Sequence, residues 1–279
     1  MKYGNRNRTL GMCAAVLGAL NLPVSLAGQE NHTDDSHEHD LHFSHPIFTE
    51  SISPDTKVRF DFGREWEADG TASELEVEAE YMFHPAFSIE IVAPYAFVRP
   101  DLGPDGSDFA NVHLALKFAN FAFEERGLLL GYGLELGMPT GDEAKGIGSG
   151  HLWEIEPFLS IGLVSGDFEL VSLTRFGIPI NQEVGEEIET EIHYDFSVLY
   201  HFSTRVQGLL ELNGLAGLSG HTEASHHGDA AGEGIISVSP GIKVTPLAES
   251  PLFVGLGASF PLGDEELDAR LKLAFFYHF

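Results

Sequence analysis

Stretches in which every second residue is apolar recur twelve times between residues 57 and 279, and this period of two constrains the fold more than any other feature. Val58, Phe60 and Phe62 alternate with Arg59 and Asp61; Leu75, Val77, Ala79 and Tyr81 alternate with Glu76, Glu78 and Glu80. The pattern continues through Ile89 and Ile91, Leu114 and Leu116, Leu134 and Leu136, Ile155 and Leu159, Phe196 and Val198, and Leu210 and Leu212. Clusters of Gly, Pro, Asp and Ser separate the segments, as turns require. Each segment is close to the ~9–11 residues that a tilted strand needs to cross a bilayer. Helices keep a different period, so the chain is expected to be all-β.

Two folds carry such strands. In a soluble sandwich the apolar faces pack against each other; in a membrane barrel they face lipid, and the polar faces line the interior. The joints favour the barrel. Those at 84–86, 124–127, 164–167, 203–204 and 246–251 are tight, whereas those at 99–108, 139–152, 181–190 and 219–234 are long. Short turns on one side and long loops on the other characterise outer-membrane barrels. Aromatic residues gather near segment ends (Trp66, Phe83, Tyr95, Phe97, Trp153, Tyr200, Phe202), as interfacial girdles demand. The last segment presents Leu271, Leu273, Phe275, Tyr277 and Phe279 on one face, a pattern suited to reading by the β-barrel assembly machinery. The expected architecture is a closed, transmembrane, antiparallel up-and-down β-barrel of about twelve strands with a disordered N-terminal head.

Three regions follow. Residues 1–27 read as a signal peptide: Lys2, Arg6 and Arg8 precede an uncharged stretch, and Ser25, Leu26 and Ala27 form a small-x-small cleavage site. Residues 28–53 read as a mobile periplasmic head rich in His and Asp, and 54–279 as the barrel. Cys13 is the sole cysteine, which excludes a disulfide scaffold, a Cys-rich zinc module and c-type haem attachment. A net charge of −28 excludes nucleic acid as a partner.

On the polar faces, the expected lumen-lining residues are Arg59, Asp61, Glu76, Glu78, Glu80, Glu90, Lys117, Glu135, Glu154, Glu156, Asp195, Glu211, Arg270 and Lys272. Ionised groups cannot sit unpaired in a dry core, so this interior must hold water or form cross-strand ion pairs. Closure of the barrel is expected to bring Arg59 near Arg270 and Lys272, with the Glu76, Glu78 and Glu80 ladder beside them. The excess of acids suits cations or neutral solutes. Both an open pore and a plugged lumen fit the pattern.

Histidines form two groups. His32, His37, His39, His42 and His45 crowd the head, and His221, His226 and His227 sit in the longest outer loop. Imidazole is a good ligand for zinc, copper or nickel, and the loose spacing suits a weakly bound, exchangeable divalent metal. The sequence contains neither a nucleophile elbow nor a His-Glu-x-x-His or phosphate-cradling motif, so no enzyme is expected.

One stretch carries a family likeness. LGYGLELGMPTGD (130–142) leads through GIGSG (146–150), a segment expected to be flexible, to WEIEPF (153–158). This arrangement resembles the outer-membrane transporters associated with the meta-pathway of phenol degradation, over roughly residues 55–279. The resemblance implies a barrel that passes small molecules across the outer membrane. The expected function is passive passage of a small-molecule or metal-ion solute by a chain embedded in outer-membrane lipids. The alternative is a non-transporting binding or structural protein with a plugged lumen.

Overall fold

The structure, a computed structural model, describes residues 41–182, 190–218, 234–247, 250–263 and 267–279. Thirteen strands follow one another: β1 (Lys57–Glu67), β2 (Gly70–His84), β3 (Phe87–Pro100), β4 (Gly106–Phe109), β5 (Val112–Asn120), β6 (Leu128–Met138), β7 (Trp153–Ser165), β8 (Phe168–Ile180), β9 (Glu191–Ser203), β10 (Val206–Gly217), β11 (Gly234–Val244), β12 (Leu252–Pro261) and β13 (Leu267–His278). Each pairs antiparallel with its neighbours, and β1 pairs with both β2 and β13. That last seam, running from Lys57 opposite His278 to Glu67 opposite Leu267, closes the sheet and leaves no edge along it.

Twelve strands form the wall, as the alternation predicts; the thirteenth is a break within one of them. β3 pairs with β5 up to Val92 opposite His113 and with β4 from Tyr95 opposite Phe109. Three residues (110–112) on one side therefore face two (93–94) on the other, the count of a β-bulge. The break falls at Pro94, which has no N–H to give to the ladder, while its carbonyl accepts from Ala110 N at 3.0 Å. The long joint expected at 99–108 is shortened accordingly.

The alternation divides the wall into two faces. Phe60, Phe62, Leu75, Ile91, Leu134, Leu159, Ile161, Leu210, Ile242 and Leu256 point outward and are exposed. Their sequence neighbours Arg59, Asp61, Glu90, Ser160, Glu211 and Lys243 point inward and are buried. An exposed apolar belt around a charged interior suits hydrocarbon outside and polar contents within. Aromatic rings cluster toward both rims. Tyr81, Phe83, Phe87, Phe118 and Tyr132 form a continuous run of ring contacts toward the short-turn end, and Tyr95, Phe97 and Phe109 form another at the long-loop end. In outer-membrane barrels the short-turn end faces the periplasm.

Of the expected mobile head, residues 28–40 lie outside the described residues, as does the expected signal peptide. The rest is a correction. Residues 43–53 do not hang free; they lie inside the barrel. Phe43 and Ile47 have no accessible surface and Ile52 has 3%. Phe43 and Ile52 pack with Ala119, Leu129 and Val171, while Ile47 packs with Leu199 and Leu209. Glycines on the inner wall make the room. A side chain on Gly162 would overlap Ile52 and Phe43, and one on Gly257 would come within 2.6 Å of the Phe48 ring. Burying each of these apolar side chains is worth ~1.5–3 kcal/mol, and the polar head pattern concealed that contribution.

Candidate functional site: the plugged lumen

The segment from Phe43 to Asp55 is held largely through its backbone. An irregular segment has no ladder of its own, so its buried N–H and C=O groups must find partners. Glu211, on β10, supplies three. One carboxylate oxygen accepts from Ile47 N at 3.0 Å, the other from Thr49 N at 2.7 Å, and Phe48 N lies 3.2 Å from both. Glu169 accepts from Ser44 N at 2.7 Å and from the Ser44 hydroxyl at 3.0 Å. The carbonyls are met by cations: Lys243 Nζ donates to His45 O at 2.8 Å and Arg59 to Ile47 O at 2.5 Å. Charge-assisted bonds of this kind are roughly twice as strong as neutral ones.

Beside the segment lies a largely buried ion network. Lys57 Nζ is 2.7 Å from Glu78 and 2.6 Å from Glu80. Lys117 Nζ is 2.5 Å from Glu90 and 2.7 Å from Glu50, the one member contributed by the plug. Removing a partner from such a group leaves a charge uncompensated and is far costlier than the pair's net worth. Of the expected meeting of Arg59 with Arg270 and Lys272, the Lys272 half occurs, both cations lying 2.7 Å from the same oxygen of Asp61, whereas Arg270 pairs elsewhere. The β1–β13 register sets Arg59 opposite Phe276, whose ring lies 4.7 Å from the guanidinium, and turns Arg59 to Asp61 and Glu78. Lys272 pairs with Asp61 at 2.7 Å, and Arg270 pairs with Glu65.

Toward the long-loop end lies a second cluster of charges. His113 Nδ1 lies 2.7 Å from Glu135 and 3.8 Å from Glu156, and Arg175 lies 3.8 Å from Glu135 and 4.0 Å from Asp195. His113 and Arg175 keep about a quarter of their side-chain surface accessible (25% and 26%), whereas Lys57 keeps none. Glu76 and Glu154 are half-buried on the same inner face. The lumen thus holds both fully buried and partly accessible charges.

The segment 146–150, expected to be flexible, is pinned in place within the loop at 139–152. Asp142 caps a single 3₁₀ turn by accepting from Ala144 N at 3.1 Å. Glu143 accepts from the Ser149 hydroxyl at 2.6 Å and Gly150 N at 2.8 Å, and its carboxylate lies 2.6 Å from His151 Nδ1. Ser149 N in turn donates to Asn111, at the β4–β5 break, at 2.8 Å. Gly146 and Gly148 adopt φ of +69° and +60°, the left-handed region that other residues avoid. The bonds from Ser149, Gly150 and His151 lower the Glu143 pKa from 4.5 to about 2.

Of the expected metal ligands, His32, His37, His39, His221, His226 and His227 lie outside the described residues. His42 and His45 are brought together, along with two residues the sequence reading did not single out, Asp55 and His278. His278 Nδ1 lies 2.6 Å, His45 Nε2 3.0 Å and His42 Nε2 3.7 Å from one oxygen of Asp55. Burial pushes the His45 imidazole down, toward the neutral form. Burial alone would raise the Asp55 carboxyl, but hydrogen bonds from His278 and His45 outweigh it and hold Asp55 far below the usual carboxylate range.

No protein-family model matches the chain, and no curated protein matches it. Solved structures do. An outer membrane channel from Pseudomonas putida aligns with a TM-score of 0.64 at 13% identity, over 89% of this chain and 100% of that one. The NanC porin aligns at 0.58 and 7% identity, over 80% and 100% of the two chains. The KdgM porin, in complex with disordered oligogalacturonate, aligns at 0.52 and 10% identity, over 79% and 99%. At these identities the likeness is one of fold, and it does not show the association with phenol degradation. The closed barrel, its apolar belt and this shared fold place the chain in the bacterial outer membrane.

Proposed function

We propose that this chain is an outer-membrane channel for small solutes whose periplasmic end is closed by the segment 43–55. The observation that supports it is the contrast along the lumen. Charged side chains, some of them partly accessible, line the long-loop half, and a hydrogen-bonded segment of irregular backbone fills the other. A solute entering from the loop side meets Glu135, Glu156, Asp195, Arg175 and His113 before it meets the plug. The His-rich head and the group at 221–227 suit loose capture of divalent metal, as solute or as effector. The outward row Leu271, Phe275, Tyr277 and Phe279 suits docking to the barrel assembly machinery.

The plug also favours a second reading, a binding or structural barrel that never conducts. Planar-bilayer recording of the refolded protein separates the two. Glu211→Gln keeps the side-chain shape but removes the charge that holds three backbone N–H groups. It should weaken plug docking by about 3 kcal/mol, roughly a hundredfold in the open population. Rare or no openings in the native chain, with frequent discrete steps in Glu211→Gln, support the channel. Silence in both supports the second reading.

A further inference from the structure

We infer that His42, His45, Asp55 and His278 form a specific site for one zinc-like divalent cation, which latches the plug to the barrel wall. The inference extends beyond solute passage and stands whether or not the barrel conducts.

The argument begins with the Asp55 oxygen. A carboxylate oxygen has two lone pairs, yet three imidazole nitrogens converge on this one, the third beyond hydrogen-bond reach at 3.7 Å. One ligand atom from each of the four residues lies within 4.8 Å of every other. A four-coordinate zinc with bonds of ~2.1 Å sets its ligands about 3.4 Å apart; the His278 and His45 contacts to Asp55, at 2.6 and 3.0 Å, would open slightly and the longer ones close to reach that polyhedron. The donor set, three imidazoles and a carboxylate, belongs to borderline metals rather than to calcium or magnesium.

The surroundings fit. The three rings already face one another, with centroids 5.0 Å apart for His45 and His278, 6.1 Å for His42 and His45, and 6.3 Å for His42 and His278. His45 is stacked on Phe276, 5.9 Å away, which fixes its plane. The nearby cation Lys57 is neutralised by Glu78 and Glu80, so it does not compete for Asp55. His42 remains half exposed (53%), leaving a path for the ion.

The ligands come from two places: His45 and Asp55 lie in the plug with His42 just before it, and His278 ends β13. An ion held by all four ties the plug across the closing seam. Metal at this site therefore opposes withdrawal of the plug, and a chelator favours it.

The test titrates zinc into the refolded full-length chain in detergent by calorimetry, with heat-modified gel mobility to verify folding. A background variant carries Gln in place of His32, His37, His39, His221, His226 and His227. It is expected to keep one zinc per chain, and cobalt in its place should give the strong visible absorption of a four-coordinate site. Asp55→Asn or His278→Gln in that background should weaken binding by at least about tenfold. If the six replacements abolish binding, or the Asp55 and His278 changes leave it untouched, the site is wrong. Zinc should also slow hydrogen exchange at the amides of Ile47, Phe48 and Thr49; unchanged exchange overturns the latch.

Discussion

Glu143 organises a whole loop with one side chain. Its carboxylate takes hydrogen bonds from Ser149 and Gly150 and meets the His151 ring, so the folded loop stabilises the ionised form. Its folded pKa is depressed to about 2 from 4.5. Its contribution is therefore fully present above pH 4.5 and is lost as the pH falls toward 2. Amide exchange across residues 139–152 should accelerate over that interval while the strands stay protected. Glu143→Gln should give the loosened loop already at neutral pH and abolish the acid dependence. Equal loop protection in the variant and the native chain at pH 7 would remove Glu143 from this role.

The strands were legible in sequence because a strand between lipid and a polar lumen must alternate, and nothing else in the chain competes with that signal. Eleven of the twelve segments became single strands; the fourth gained β4, because Pro94 on the neighbouring strand interrupts its ladder. The plug was not legible, since Phe43, Ile47 and Ile52 are spaced by Ser, His, Thr and Glu without a period. Its backbone bonds also involve Glu211, 162 residues from Thr49. A clue did exist on the wall: inward positions 131, 162, 241, 255 and 257 are glycine, so something bulky had to lie within. Asp55 and His278 escaped for a related reason, because only closure of the barrel brings residue 278 beside residue 55. Gly257→Val tests the clue. Overpacking against Phe48 should cost ~1–3 kcal/mol and raise protease access to residues 41–55, while far-UV circular dichroism of the barrel stays unchanged. Unaltered protection of that segment would mean the glycine is not its seat.

Taken as a whole, the molecule holds more acid than base, and the long-loop half of its lumen shares that bias. Glu135, Glu156 and Asp195 face Arg175 and His113 there, with Glu154 nearby. In a plug-released background such as Glu211→Gln, reversal potentials across a salt gradient should show preference for cations. The preference should shrink in the added double change Glu135→Gln, Glu156→Gln. It should also fade as salt rises from 0.1 to 1 M, because the screening length falls from ~10 to ~3 Å. Anion preference in that background would contradict the lumen electrostatics. The position of the plug in the chain has a consequence for its release. It runs without interruption into β1, and β1 is one half of the seam that joins the ends of the sheet, where Phe279 N donates to Thr56 O at 3.0 Å. Zipping the seam therefore fixes one end of the plug at the rim of the very lumen it fills, so a segment that leaves its seat stays tethered within reach of it.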